Sequence, residues 1–337
     1  MKRIPTIDLA RGFTIFIMPS VHVALLYSNM QVKESMFVHI LSLLAEWPGA
    51  QVFMLLMGIS FQFSSRINRR SVLQRTFYLL LAAYLLNVGK FVLPFLSGFM
   101  PDGLLQELEV SSQNIEWLFL LGDILHFAAM AYLTCYFLYR YQYLTLFISI
   151  LVIFVSPFVW DIHTGNPVID YILALVGGQP PRVFFPLFPW LVYPLTGLFI
   201  GYYLKTFPAD KIFFNAGMIG FILWFFGLIN STPGSFYRTT PADTICHVGF
   251  VLTWLCMWHW ITKKIKMNFF FRLLIFLSKN ITVIYIVQWI LVFWCLAFTG
   301  YGQLNIYWSL IWMFLISFNS FLFPLLLKQP YEKKYHL

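Results

Sequence analysis

The chain has 337 residues, of which 60% are hydrophobic, 20% aromatic and only 10% charged, and its mean hydropathy is +0.76. A soluble domain carries about 25% charged residues, so this chain cannot cover a water-facing surface, and a soluble or secreted domain is excluded. The net charge of +9 does not indicate nucleic acid, because the basic residues sit in short clusters between apolar blocks, where membrane topology accounts for them.

The apolar residues fall in blocks of about 20, the length that crosses the hydrocarbon core of a bilayer. The predicted spans are 7–28, 47–65, 72–97, 116–139, 143–160, 184–204, 211–230, 243–262, 272–298 and 305–327, with a short interfacial helix over 35–46. Lys2 and Arg3 precede the first block as they would in a signal peptide. Asp8 and Arg11 interrupt it and no small-x-small site closes it, so it reads as a retained first helix. The fold class is all-α: a polytopic membrane protein of about ten helices forming one domain over 1–337.

The first span carries Asp8, Arg11, His22 and, just past its end, Asn29. At about 100° per residue, Arg11 and His22 lie about 20° from the same azimuth and about 16 Å apart along the axis. Asp8 and Arg11 are surface neighbours, and Asn29 continues the same stripe. Ionisable groups cost several kcal/mol when they face lipid, so this stripe points inward. An Asp–Arg pair at the helix entry and a His bonded to a backbone carbonyl is the simpler structural reading. The second span ends in Arg66, Arg69, Arg70 and Arg75. The fourth holds Asp123 and His126 three apart on one face, an arrangement that could fix an imidazole tautomer or simply tie helices together. Arg140 follows it. Prolines such as Pro19, Pro94, Pro194 and Pro324 fall inside spans and imply kinks. Gly197 and Gly201 make a GxxxG suited to close helix packing. The eighth span opens with Asp243 and His247, and Arg182 and Arg238 stand in the opposite loops; each could hold an anionic or sugar-like ligand or pair with a loop acid. Cys135, Cys246, Cys256 and Cys295 lie in apolar blocks without metal spacing and read as packing residues, and no metal site is expected.

Orientation follows from the basic residues. One set of junctions holds 16 of the 22 Lys and Arg, while the opposite set holds Lys33, Arg182 and Arg238. The positive-inside rule places the first set, and with it both termini, in the cytoplasm. The arginines there, with Arg11 and Arg140, suit the phosphates of a polyanion such as coenzyme A, although the cluster taken by itself is better accounted for by topology and attraction to anionic lipid. Walker A, GxGxxG, HExxH and GxSxG sequences are absent.

The run Arg3-Ile4-Pro5-Thr6-Ile7-Asp8-Leu9-Ala10-Arg11-Gly12 followed by His22 resembles the first-helix signature of membrane acyltransferases, with the Arg-x10-His spacing of the acyltransferase-3 superfamily. It is most similar to the bacterial branch related to heparan-alpha-glucosaminide N-acetyltransferase. Val52–Gly58, Gly122-Asp123-Ile124-Leu125-His126, Phe188-Pro189-Trp190 with Gly197 and Gly201, and Ser278-Lys279-Asn280 with Tyr285 extend the likeness over residues 3–290. The resemblance implies transfer of an acyl group, acetyl foremost, from cytoplasmic acyl-CoA to a glycan or glycolipid across a bacterial inner membrane, with the lipid bilayer as the other partner. His22 would be the general base with Asp123 and His126 assisting. Arg11, Asp8, Arg66, Arg70 and Arg140 would hold the donor, and Arg182, Arg238, His247 and Asn29 the acceptor. Family members often carry His where this chain has Gln288, and Gln cannot act as a base. A secondary transporter or flippase is the rival reading, since kinked helices and midplane polar groups suit it too. Oligomeric state is open, a homodimer being one option.

Overall fold

The computed structural model describes residues 4–65, 67–110, 114–232 and 234–332. Among them there is no strand, only two isolated bridges, Ser28–Leu304 and Gly122–Val183. The helices longer than ten residues are α1 (Pro5–Tyr27), α2 (Met36–Glu46), α3 (Gly49–Gln62), α4 (Arg69–Asn87), α5 (Ile124–Leu138), α6 (Gln142–Val155), α7 (Pro167–Gly177), α8 (Val192–Thr206), α9 (Ala209–Asn230), α10 (Pro241–Lys264), α11 (Phe269–Lys279), α12 (Ile281–Thr299) and α13 (Ile306–Glu332).

Among the described residues, eight helical stretches are long and apolar enough to cross a membrane: Pro5–Tyr27, Met36–Gln62, Arg69–Leu96, Leu187–Thr206, Ala209–Asn230, Pro241–Lys264, Ile281–Thr299 and Ile306–Leu327. The chain is an all-α polytopic membrane protein. The predicted spans differ from these helices at several points: Pro167–Gly177 is a helix where no span was predicted, the span 143–160 is a shorter helix over Gln142–Val155, and three further differences are local. The segment predicted as interfacial, 35–46, continues past Trp47 and Pro48 as part of the second long stretch. The fourth predicted span is interrupted after Leu120, and its helix restarts where the Asp123 side chain caps Ile124–Leu138. The predicted span 272–298 is two helices that meet at Asn280, whose backbone leaves helical geometry and whose Nδ2 donates to Phe276 O at 2.8 Å.

The chain divides into two compact units, the first made of 1–46, 86–119 and 266–337, the second of 47–85 and 120–265. In the first, α1 is the central element. It begins at Pro5, which lacks only an N–H that a first turn leaves unbonded anyway. It runs antiparallel to α11, with Asp8 opposite Ser278 and Gly12 opposite Leu274. It runs parallel to α12, with His22 beside Gln288 and the Tyr27 hydroxyl donating to Val292 O at 2.7 Å. α13 returns antiparallel, bonding Ser20 to Ser317 and Ser28 to Ser309. Gly12 cannot be larger, because a Cβ there would sit 2.0 Å from Leu274 O. With no hydrophobic force to drive helices together in lipid, this close backbone approach and the serine bonds hold the bundle. α1 ends when Ser28 turns extended. The 302–304 loop then closes on it, with Gly302 N–H on Leu26 O and Leu304 N–H on Tyr27 O.

In the second unit the predicted GxxxG does pack closely. A Cβ on Gly197 would fall 1.9 Å from Leu55 O, and α8 meets α3 there. α9 and α10 form a hairpin in which Gly227 abuts Cys246 and Gly217 abuts Cys256, so these thiols serve packing.

Candidate active site

His22 is half-buried on α1. Two consecutive residues of α12 fix its ring. Trp289 stacks on it, with centroids 4.0 Å apart and planes 28° apart, and Gln288 Nε2 lies 3.0 Å from Nδ1. Gln288 is fully buried, and its Oε1 has no hydrogen-bond partner among the described residues. The Trp289 indole Nε1 is likewise buried without a partner among them. Buried polar atoms are nearly always bonded, and these two lie on the consecutive residues that hold the imidazole. A carboxamide can meet Nδ1 with either end, since a half-turn exchanges its oxygen and nitrogen. With the oxygen accepting from Nδ1–H, the Nε2 lone pair is available as a base; with the amide nitrogen donating to Nδ1, Nε2 carries the proton.

Toward the start of α1, Asp8 is buried and its Oδ1 accepts from the Ser278 hydroxyl at 3.2 Å. Arg11, one turn on, is half-buried. Asn29 departs from the predicted stripe. It lies past the end of α1 and caps the short helix Met30–Lys33, its Oδ1 accepting from Val32 N–H at 3.0 Å. The helical azimuth stops applying where Ser28 turns extended.

Sequence reasoning missed Lys90, which belongs to the same unit. It is 2% exposed, and its Nζ lies 4.9 Å from the Trp289 ring and 4.6 Å from the Phe91 ring. The available signal was a lone lysine inside an apolar block, a functional-site indication by default. Gln288 was legible as a residue but not as a role, because only its ability to act as a base was considered.

The remaining candidates belong to the second unit. Asp123 Oδ1 accepts from Ile124 N–H at 2.7 Å, and Asp123 N–H donates to His126 Nδ1 at 3.2 Å, so the two form a capping box at the start of α5. His126 is buried and meets the Tyr84 ring edge-on at 4.6 Å, and the Tyr84 hydroxyl is 3.0 Å from that of Tyr171. Arg70 and Arg140 are exposed, Arg140 Nε donating to the Tyr139 hydroxyl at 2.8 Å, while Arg75 lies over the Tyr132 ring. Arg66 lies outside the described residues. Arg238 is held by the loop that precedes and follows α7: its guanidinium grips Asp161 through both oxygens, donates to Gly177 O, Gly178 O and Gln179 Oε1, and covers Trp160. Arg182 contributes its carbonyl to the Gly122–Val183 bridge. His247 packs edge-on to Trp47, and its Nδ1 has no hydrogen-bond partner among the described residues. No group of three His, Cys, Asp or Glu residues among those described is placed to hold a metal.

The described helices form a membrane bundle in which α1 and α12 hold an imidazole. The family described as heparan-alpha-glucosaminide N-acetyltransferase, catalytic, matches residues 3–217, more than half of the chain, and the chain belongs to that membrane acetyltransferase family. Searches of the curated proteins and of the solved structures find no match. The matched stretch includes Asp8, Arg11, His22, Lys90, Asp123 and His126, and stops short of Arg238, His247, Gln288 and Trp289.

Proposed function

We propose that this acetyltransferase carries an acetyl group from cytoplasmic acetyl-CoA to a hydroxyl or amine of a glycan or glycolipid outside a bacterial cytoplasmic membrane, with His22 as general base. The observation that supports this reading is the fixed imidazole, stacked on Trp289 and bonded through Nδ1 to Gln288 inside the α1–α12 pair. A base needs one nitrogen held and the other presented, and Gln288 holds Nδ1 as a third group orients the base in hydrolase triads. Both chain termini lie on the cytoplasmic side in this reading, where the basic junctions collect.

The acceptor O–H or N–H gives its proton to His22 Nε2 as its oxygen or nitrogen bonds to the thioester carbonyl carbon. The carbonyl π pair moves onto oxygen. When the tetrahedral species collapses, the C–S bond breaks and the imidazolium returns the proton to the thiolate, giving the acetylated acceptor and free coenzyme A. Arg11, oriented by Asp8, positions the donor; Arg66, Arg70 and Arg140 are separate candidates for charge-assisted phosphate contacts. Asp123 and His126 act as positioning residues by starting α5. Arg182, Arg238, His247 and Asn29 are the acceptor-side candidates.

The test is transfer of labelled acetyl from acetyl-CoA in inverted and right-side-out vesicles. His22→Ala should reduce transfer to background with protein abundance unchanged, and acetyl-CoA should be used only when supplied on the cytoplasmic face. Undiminished transfer by the variant removes His22 from the reaction. Substrate movement without thioester consumption would indicate transport.

A further inference from the structure

We infer that Lys90 is a catalytic residue of the same reaction, its ammonium binding the oxyanion that forms on the thioester carbonyl; this rests on the His22 reading above. Lys90 lies in a single π-helical turn, Val88–Val92, between α4 and the short helix Leu93–Leu96. Such turns insert one residue into a helix, displace the side chains that follow, and recur at functional sites. This one is stitched to α12. The Trp294 indole N–H donates to Gly89 O at 2.9 Å, Phe91 packs on Phe293 with centroids 4.6 Å apart, and Lys90 Nζ sits over Trp289. The extra residue therefore delivers the cation to the residue that carries the His22 ring.

The two distances to Trp289 limit the separation of Nζ from the imidazole centroid to their sum, about 9 Å. A tetrahedral carbon held at one side by an attacking atom on Nε2 and at the other by an oxyanion on an ammonium, with contacts of about 3 Å, fits inside that limit, and the step requires the ammonium and the imidazole to reach the same side of the indole. Burial of a lysine in a lipid-embedded helix costs several kcal/mol, which makes such a residue a functional-site candidate by default. Trp289 Nε1, buried without a hydrogen-bond partner among the described residues, is a second polar group beside the imidazole. Before the reaction, the two aromatic faces stabilise the ammonium by cation–π attraction. As the carbonyl oxygen gains charge, the electrostatic attraction grows, so the residue acts on the transition state more than on bound substrate.

The experiment compares Lys90→Met and Lys90→Arg with wild type and His22→Ala in the same vesicles, measuring kcat, KM for acetyl-CoA, and binding of a non-reactive thioether analogue of acetyl-CoA. Lys90→Met should lose about 10²- to 10³-fold in kcat and bind the analogue within about threefold of wild type. Lys90→Arg should recover at least about ten-fold of the loss, because it restores the charge without the shape. Wild-type kcat in Lys90→Met, with His22→Ala inactive, overturns the role of Lys90 and leaves the base in place. Equal losses in the Met and Arg variants also overturn it, because packing and not charge would then be what matters. Activity in His22→Ala overturns both readings. If Lys90→Met does not accumulate, Lys90→Gln takes its place.

Discussion

The contact that most directly tests the arrangement of the base is the one between Gln288 and His22. Replacing Gln288 with Leu keeps similar bulk in a fully buried position and deletes the 3.0 Å bond to Nδ1. A buried hydrogen bond removed from one side costs about 1–3 kcal/mol. If all of that is expressed as a poorer ring tautomer or tilt in the transition state, kcat falls from about five-fold to about 150-fold, at 1.36 kcal/mol per factor of ten. The stack on Trp289 remains, and such ring pairs contribute about 0.5–1.5 kcal/mol. The imidazole therefore stays in place, and the loss should fall toward the lower half of that range. The assay is labelled acetyl transfer with KM measured for both substrates. kcat should fall while KM for acetyl-CoA is unchanged, and Gln288→Asn, whose amide is drawn back by one methylene, should be intermediate or equal to Leu. Full kcat in Gln288→Leu would refute the orienting role, and so would a rise in KM for acetyl-CoA alone.

Three further outcomes follow from contacts elsewhere. Gly197→Ala places a Cβ 1.9 Å from Leu55 O; it should destabilise the chain by about 1–3 kcal/mol, seen as a lower midpoint of thermal aggregation in detergent, and an unshifted midpoint would mean that α3 and α8 are free to separate. Arg238→Ala should speed cleavage of the 160–179 segment in limited proteolysis of vesicles, because the guanidinium ties Asp161 to the Gly177 and Gly178 carbonyls; unchanged cleavage together with a raised KM for acceptor would assign the arginine to binding instead. Asp170 accepts from Thr164 N–H at 2.7 Å, from the Thr164 hydroxyl at 2.8 Å and from Gly165 N–H at 3.1 Å, and the Thr164 backbone bond above all holds its carboxyl below the usual range. A depressed carboxylate supports the fold above its unfolded value of about 3.9 and loses that support only as pH falls through the lower folded value. Protease resistance of 161–166 should therefore be equal at neutral and mildly acid pH in wild type, and reduced at both in Asp170→Asn.

The membrane class was legible because it rests on composition and block length, which no tertiary detail can reverse. The stripe on α1 was legible as far as helical geometry reached: Asp8, Arg11 and His22 fall on one helix, and Asp8 and His22 each meet a polar residue of the returning α11–α12 pair. It failed at Asn29, one residue beyond the C-cap Ser28. The break at Asn280 was marked only by Ser278-Lys279-Asn280, three polar residues that a window of about 20 averages into the apolar segments on either side. Asp123 and His126 look like a catalytic pair by spacing, but three apart is also the spacing of a capping box, and the side chains bond each other's backbone neighbourhood at the helix start. Lys90 was visible as a lone lysine in an apolar block, and its burial, at 2% exposed, shows that it is turned inward.

An amide at position 288 has a physical logic that a carboxylate or a second imidazole would lack. In a span, a formal charge at 288 would need its own partner, and the desolvation of an ion costs more than an oriented hydrogen bond returns. A neutral carboxamide carries no such requirement, yet offers both an acceptor and a donor at the same distance from Nδ1. In the proposed reaction Nδ1 carries its proton in both the imidazole and the imidazolium, so the amide oxygen serves as its acceptor throughout. Gln288 is then a neutral residue that holds the ring through both states. Because α12 lies beyond the segment matched to the family, ending at residue 217, the base comes from the matched part of the chain and the residues that hold its ring come from outside it. Specificity for the direction and timing of proton transfer would accordingly be set by α12, and exchange of Gln288 and Trp289 should alter kcat in variants whose donor binding is intact.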